Sequence, residues 1–180
     1  MINFSNIVIF SSIYKTAAIQ GIDSVENMLW GNELPEKVNT ISGGGNVLRD
    51  RVIQIAQSQL GQGDWRKYLQ GTVSSMPNEK KHWCGLFALW VLQIAGITSK
   101  QWTWGSGISS ILPPTKNPKP GDIAYFTHNN HHAIIERIDG DNMITIDGNS
   151  WGGKVVRNDR KLSDAYGFYS IGPLIGEANT

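Results

Sequence analysis

From Gly85 to Ala95 every residue except Gln93 is apolar or glycine, and Gly96 follows. A helix that is apolar all round has no face to offer solvent, so it must lie at the centre of the fold. The run is far shorter than the roughly 20 residues that cross a bilayer, so no membrane span is expected from it. Immediately before it stands Cys84, the single cysteine of the chain. A thiol at the mouth of a buried helix is an unusual use of the only sulfhydryl available.

The rest of the chain is read around this helix. Leu48, Val52, Ile55, Ala56 and Leu60 recur at helical spacing, with Gly61 where a C-terminal cap belongs. This predicts an amphipathic helix with one face on the core. "GQGDWRKYLQGTVSSMPNEKK" is polar and turn-rich and reads as a loop, as does "QWTWGSGISS". Beyond the prolines at 113, 114, 118 and 120 the pattern changes. "GDIAYFT", "HAIIERI", "NMITIDGN", "KVVRNDR" and "YGFYSIGPLI" are short segments rich in β-branched and aromatic residues, separated by turn signals. Helices first and a small antiparallel sheet second make an α+β domain. "SGGGN", Ser42 to Asn46, reads as a flexible joint. The expected organisation is therefore an extension over residues 1–45 and a main domain over 46–180.

Composition removes several classes of function. A formal net charge of +1 over 180 residues gives no basic footprint for nucleic acid. One cysteine rules out an internal disulfide framework, so packing must hold the fold. The segment "MINFSNIVIFSSIYKTAA" is mildly apolar, but its first cation, Lys15, follows the apolar part, unlike a secretory signal. It is expected to dock on the domain or on a protein partner.

The placement of Cys84 makes chemical sense for a nucleophile. A free thiol has a pKa of about 8.5 and is mostly protonated at neutral pH. The first turn of a helix supplies unpaired N–H groups and a partial positive charge, and a histidine can stabilise the thiolate further. The plainer alternative is a small buried hydrophobe. The chain has four histidines: His82, His128, His131 and His132. His132 opens the apolar strand "HAIIERI", and the next strand ends in "TIDGNS". There Asp147 and Asn149 share a face by the period of two. Cys84 as nucleophile, His132 as base, and Asp147 or Asn149 as the group orienting the imidazole form a coherent triad. A zinc site is not expected, because three of the histidines crowd into one short loop without familiar ligand spacing, and no calcium loop is present in the main domain. No cofactor is expected.

"WCGLFALWVLQIAGI" (83–97), "PKPGDIAYF" (118–126), "HHAIIERI" (131–138) and "ITIDGNSWGGKVVRNDR" (144–160) together resemble the CHAP domain, a papain-like family of amidases and peptidases that hydrolyse bacterial cell walls. The resemblance covers roughly residues 47–173. It implies a papain-like α+β fold, with N-terminal helices packed on a small antiparallel sheet. Carried over residue by residue, it implies Cys84 as nucleophile, His132 as base, and Asp147 and Asn149 as polar partners. The family usually has glutamate where Asp147 stands. The related NlpC/P60 family commonly takes a second histidine as third member, and none follows His132 here. The implied substrate is peptidoglycan, cut as an N-acetylmuramoyl-L-alanine amidase or as a peptide endopeptidase. The implied place of action is the cell wall or periplasm, reached from a phage particle or through a secretion system. Asp122 in "GDI" is expected to brace a strand start. Trp65, Trp83, Trp102, Trp104 and Trp151 are candidates to wall a substrate groove, with core filling as the alternative for each. Other classes consistent with the sequence are a papain-like toxin or protein-modifying enzyme, and a non-catalytic module of a phage particle.

Overall fold

The structure is a computed structural model that describes residues 44–73, 82–103 and 107–177, all within the compact unit Ile41–Thr180. The extension expected over residues 1–45 falls almost wholly outside the described residues, as does Trp104. Among the described residues there are two α-helices and six strands. Helix α1 spans Gly44–Ser58 and α2 spans Cys84–Ile94. The strands are β1 (Pro114–Thr115), β2 (Ile123–Phe126), β3 (His131–Asp139), β4 (Asn142–Ser150), β5 (Lys154–Lys161) and β6 (Gly167–Tyr169). They form one antiparallel sheet in the order β1-β6-β2-β3-β4-β5. The α+β class read from the sequence is the class observed.

Helix α2 is buried along its length from Cys84 to Leu92, as a helix without a polar face must be. Its end is set by Gly96, which takes φ +78. The Gly96 N–H bonds to the Gln93 carbonyl and the Ile97 N–H reaches back to the Leu92 carbonyl. This is the double closure of a Schellman motif, which satisfies carbonyls the helix would leave orphaned. Val52 and Ala56 of α1 and Ile123, Ile134 and Ile146 of the sheet share one core with α2. On the other face of the sheet, Ala124, Phe126, Ala133, Ile135 and Met143 form a second, smaller cluster. Adjacent strand residues point to opposite faces, so each central strand feeds both cores.

Two local expectations are corrected. Gly44 to Asn46, read as part of a flexible joint, belong to the first turn of α1. Gly45 lies so close to Glu177 that an added Cβ would come 3.0 Å from its Oε1. Glycine there serves a close approach as well as chain freedom. Gly61 has the positive φ of a cap, +83, but α1 ends at Ser58. The Gly61 N–H bonds to the Val155 carbonyl, and Gln62 accepts from the Val155 N–H, so this turn is tied to β5.

Asp122 braces the start of β2, as expected. Its Oδ1 accepts hydrogen bonds from Arg49 and from the Ile171 N–H, and its Oδ2 accepts from the Lys119 N–H.

Candidate functional site

Cys84 is the first residue of α2, and no side chain caps that end of the helix. The first-turn N–H groups therefore remain available beside the sulfur. The thiol is 4 % exposed and donates to the Asn130 carbonyl at 3.7 Å. Asn130 stands in the left-handed region, at φ 47, where the short helical turn Thr127–Asn129 hands the chain to β3. That turn brings two consecutive imidazoles, His131 and His132, to the sulfur.

The carboxylate of Asp147 pairs with His131. His131 Nε2 lies 2.7 Å from Asp147 Oδ2. The expected pairing of His132 with Asp147 is corrected here, and the reason is strand parity. Ile134 lies opposite Ile146 in the β3–β4 ladder, and both face α2. His132 shares that face with Ile134, whereas Asp147, next to Ile146, points to the other face together with His131. Asn149 does not share a face with Asp147, for a second reason. The register of β4 on β5 shifts between Asp147 and Ser150, and Asn149 adopts φ 56. The alternation that would align it with Asp147 is broken, and no described hydrogen bond joins it to either imidazole.

Asp147 is fully buried and well supplied with donors. Thr145 donates to Oδ1 at 2.6 Å, and Arg160, whose guanidinium lies over the Phe126 ring, donates to Oδ2. Burial would raise the carboxyl pKa, but His131 and then Arg160 and Thr145 bring it below the ordinary value. His131 is likewise opposed by burial, yet Asp147 and the thiolate of Cys84 push its pKa up to about 9. At Cys84 burial favours the neutral thiol. Hydrogen bonding to His131 and then His132, the charge on His131, and the His132 backbone N–H outweigh it and bring the thiol down to about 6. Between those two values the stable form is a thiolate beside an imidazolium.

His132 stands in a different place. With Cys84, Gly85, Trp102, Tyr125 and Tyr169 it lines a cleft of about 500 Å³ that opens beside the sulfur. Its ring is 4.9 Å from that of Tyr125 and 5.6 Å, edge-on, from that of Trp102. The residue is 8 % exposed, and its side chain hydrogen-bonds to the Cys84 thiol.

The tryptophan candidates separate by burial. Trp102 walls the cleft and passes over Gly85, where an added Cβ would come 2.9 Å from its Cζ3. Trp83 is fully buried, stacked on Tyr68 at 5.2 Å, so it fills the core and cannot touch a substrate. Trp65 packs partly on the main core with Arg66 over its ring. Trp151 is 79 % exposed, holds Asn158 through its indole N–H, and is not among the residues lining the cleft. Tyr125, Tyr169 and His82 also line it. Sequence reasoning did not select them, although the short spacing from Tyr125 to the histidines places it on the neighbouring strand. Among the described residues no group of three or more His, Cys, Asp or Glu side chains is arranged to hold a metal ion. No helix of the described residues is long and apolar enough to cross a membrane.

No curated protein matches the sequence. One solved structure that does, titled "The crystal structure of Ly7917", is 19% identical, with a TM-score of 0.39; the match covers 68% of this chain and 61% of that chain. The CHAP domain family profile matches residues 74–149, the stretch that holds Cys84, His131, His132 and Asp147, and that family is generally hydrolytic.

Proposed function

We propose that the protein hydrolyses an amide bond of peptidoglycan, with Cys84 as nucleophile, His131 as general acid and base, and Asp147 as the group that orients His131. The observation carrying this reading is the 2.7 Å contact of His131 with the buried Asp147 carboxylate, beside a thiol brought down to about 6 and with the imidazole pushed up to about 9. A pair poised on either side of neutral pH is what acyl transfer through a thioester requires.

The steps follow from that geometry. The Cys84 thiolate adds to the carbonyl carbon, forming a C–S bond and moving the carbonyl π electrons onto oxygen. As those electrons return, the C–N bond breaks, and the proton on His131 passes to the leaving nitrogen. The neutral imidazole then takes a proton from water, whose oxygen attacks the thioester. Collapse of the second intermediate releases a carboxylic acid and restores the thiolate and imidazolium. Asp147 stays ionised throughout and holds the ring in one orientation.

The test is turbidity loss of cell-wall suspensions together with mass spectrometry of the digest. Wild-type protein is expected to clear the suspension and Cys84→Ala is expected not to. New muramic acid lactyl carboxylates and free L-alanine amines would mark the amidase bond, and new peptide termini the endopeptidase bond. Intact muropeptides alongside a chemically altered protein substrate would replace this reading with that of a protein-modifying enzyme.

A further inference from the structure

A carboxylate that orients an imidazolium also binds its proton, and the tighter that hold, the less readily the proton passes to a leaving group. Asp147 is 0 % exposed, where water does little to weaken such a pair. We propose that Arg160 is a positioning residue for the Cys84 site. By sharing one oxygen of Asp147 with His131, it fixes the carboxylate and limits how firmly that carboxylate holds the imidazolium. The catalytic use of that proton rests on the acyl-transfer reading given above.

Three observations meet at the guanidinium. First, it engages the same atom as the imidazole. Arg160 Nη2 donates to Asp147 Oδ2, the oxygen that lies 2.7 Å from His131 Nε2. Thr145 donates to Oδ1 at 2.6 Å, so both carboxylate oxygens are taken and the group has one orientation. Second, the guanidinium is itself held. Arg160 stands opposite Met143 in the β4–β5 ladder, on the face that also carries Thr145 and Asp147. Its Nε donates to Thr145 Oγ1 at 3.2 Å, which leaves the threonine O–H to point at the carboxylate. The ring of Phe126 lies 4.4 Å beneath it. A planar fork tied at two points and stacked on an aromatic face has little freedom left.

Third, the charges cancel. Thiolate and imidazolium are one pair, Asp147 and Arg160 the other, and the guanidinium cannot lose its proton. Arg160 is 25 % exposed at its side chain, so the cation closes the chain at its wetter end. Without it, one imidazolium would stand between two buried anions. The other titratable groups near the sulfur, His82, His132 and Tyr125, line the cleft, and no described hydrogen bond joins them to Asp147. On the flanking strands Glu136 and Arg157 pair with each other.

The experiment follows both proton-carrying groups on the full chain, without substrate. Iodoacetamide alkylation against pH gives the midpoint of Cys84, and NMR of the labelled imidazole gives that of His131. Arg160→Gln keeps an amide donor and removes the charge. The sign follows from the lost cation: the thiolate becomes easier to protonate and the imidazolium harder to deprotonate. The His131 midpoint is expected to rise from about 9 by about one pH unit, and that of Cys84 to rise from about 6. Arg160→Lys, which restores the charge, is expected to return both toward wild type. Urea denaturation establishes that each variant is folded. Should Arg160→Gln not be, Arg160→Met, which keeps the stem on Phe126, carries the same expectation. Unmoved midpoints in a folded neutral variant would overturn the assignment and leave Arg160 a tie between β4 and β5 only. So would midpoints that fall, or that rise as far in Arg160→Lys as in Arg160→Gln. If wild-type protein leaves muropeptides uncut while the midpoints move as expected, the peptidoglycan reading fails and the role of Arg160 stands. If muropeptides are cut and the midpoints do not move, the assignment fails and the hydrolase reading stands.

Discussion

At Cys84 burial and the neighbouring imidazoles act in opposite directions on one proton, and the imidazoles prevail. The consequence is measurable without any substrate. Alkylation by iodoacetamide is expected to rise with pH through a midpoint of about 6, well below that of an ordinary thiol. His131 is the largest of the influences that lower it, so His131→Ala should move the midpoint upward and reduce hydrolysis by about 10²- to 10⁴-fold. In the proposed mechanism hydrolysis requires the thiolate and the imidazolium together. Its kcat/KM is expected to rise through about 6 as Cys84 ionises and fall through about 9 as His131 loses its proton. Asp147→Asn weakens the largest of the influences that raise His131. The descending limb should then shift to lower pH, and a limb that stays at about 9 would show that Asp147 does not set it. The place of Cys84 at the start of a buried helix was legible in the sequence, because the apolar run begins directly after it. Which imidazole meets Asp147 was not legible, because "HH" offers two rings one residue apart. The choice depends on which ring shares a face with Asp147, and that parity is fixed only by the β3–β4 register.

Among the elements, α2 and the β3–β4 hairpin carry the site, and their packing sets the distance from sulfur to imidazole. Gly148 is where they come closest. A Cβ there would stand 2.5 Å from the Cβ of Phe87 on α2, and neither atom belongs to a flexible chain end that can swing aside. Gly148→Ala is therefore expected to push β4 and α2 apart at the position next to Asp147. Overpacking of this kind costs about 1–3 kcal/mol, read as a lowered urea midpoint. It should also lower kcat more than the stability loss explains, since the His131–Asp147 chain hangs from the same strand. Unchanged stability would mean that the helix and strand can separate at no cost. The sequence disclosed the existence of these elements through apolar periodicity and Gly, Asn and Asp turns, and five of the six strands fall on segments read as strands. It did not disclose β1, only Pro114–Thr115, which exists because β6 offers it an edge. Nor did it disclose the break after Asp147, because period-two reasoning assumes a regular ladder, whereas here the register shifts and Asn149 adopts positive φ.

For the molecule as a whole, the decisive tie lies away from the cleft. Arg49 of α1 is 5 % exposed and donates to Asp122 at 2.8 Å, to the Pro120 carbonyl at 2.8 Å and to Glu177 at 2.7 and 3.0 Å. One guanidinium thereby fastens the first helix to the entry of β2 and to the segment that follows β6. Removing it would leave the Asp122 carboxylate, 0 % exposed, with hydrogen bonds but no countercharge. Breaking a buried pair in this way typically costs about 3–5 kcal/mol, whereas losing an exposed pair costs about 1 kcal/mol or less. Arg49→Met keeps much of the aliphatic stem and removes the charge, so the loss belongs to the pair and not to packing. Urea denaturation of this variant is expected to show the larger cost. Arg49→Met paired with Asp122→Asn should recover part of it, because the orphaned charge is then gone. The iodoacetamide midpoint of Cys84 should stay at about 6 in the folded double variant, since neither residue contacts the sulfur or its imidazoles. A single-variant loss no greater than that of an exposed pair would show that water reaches Asp122 once the guanidinium is removed, and that the other contacts of α1, the core packing of Val52 and Ala56 among them, hold the helix in place.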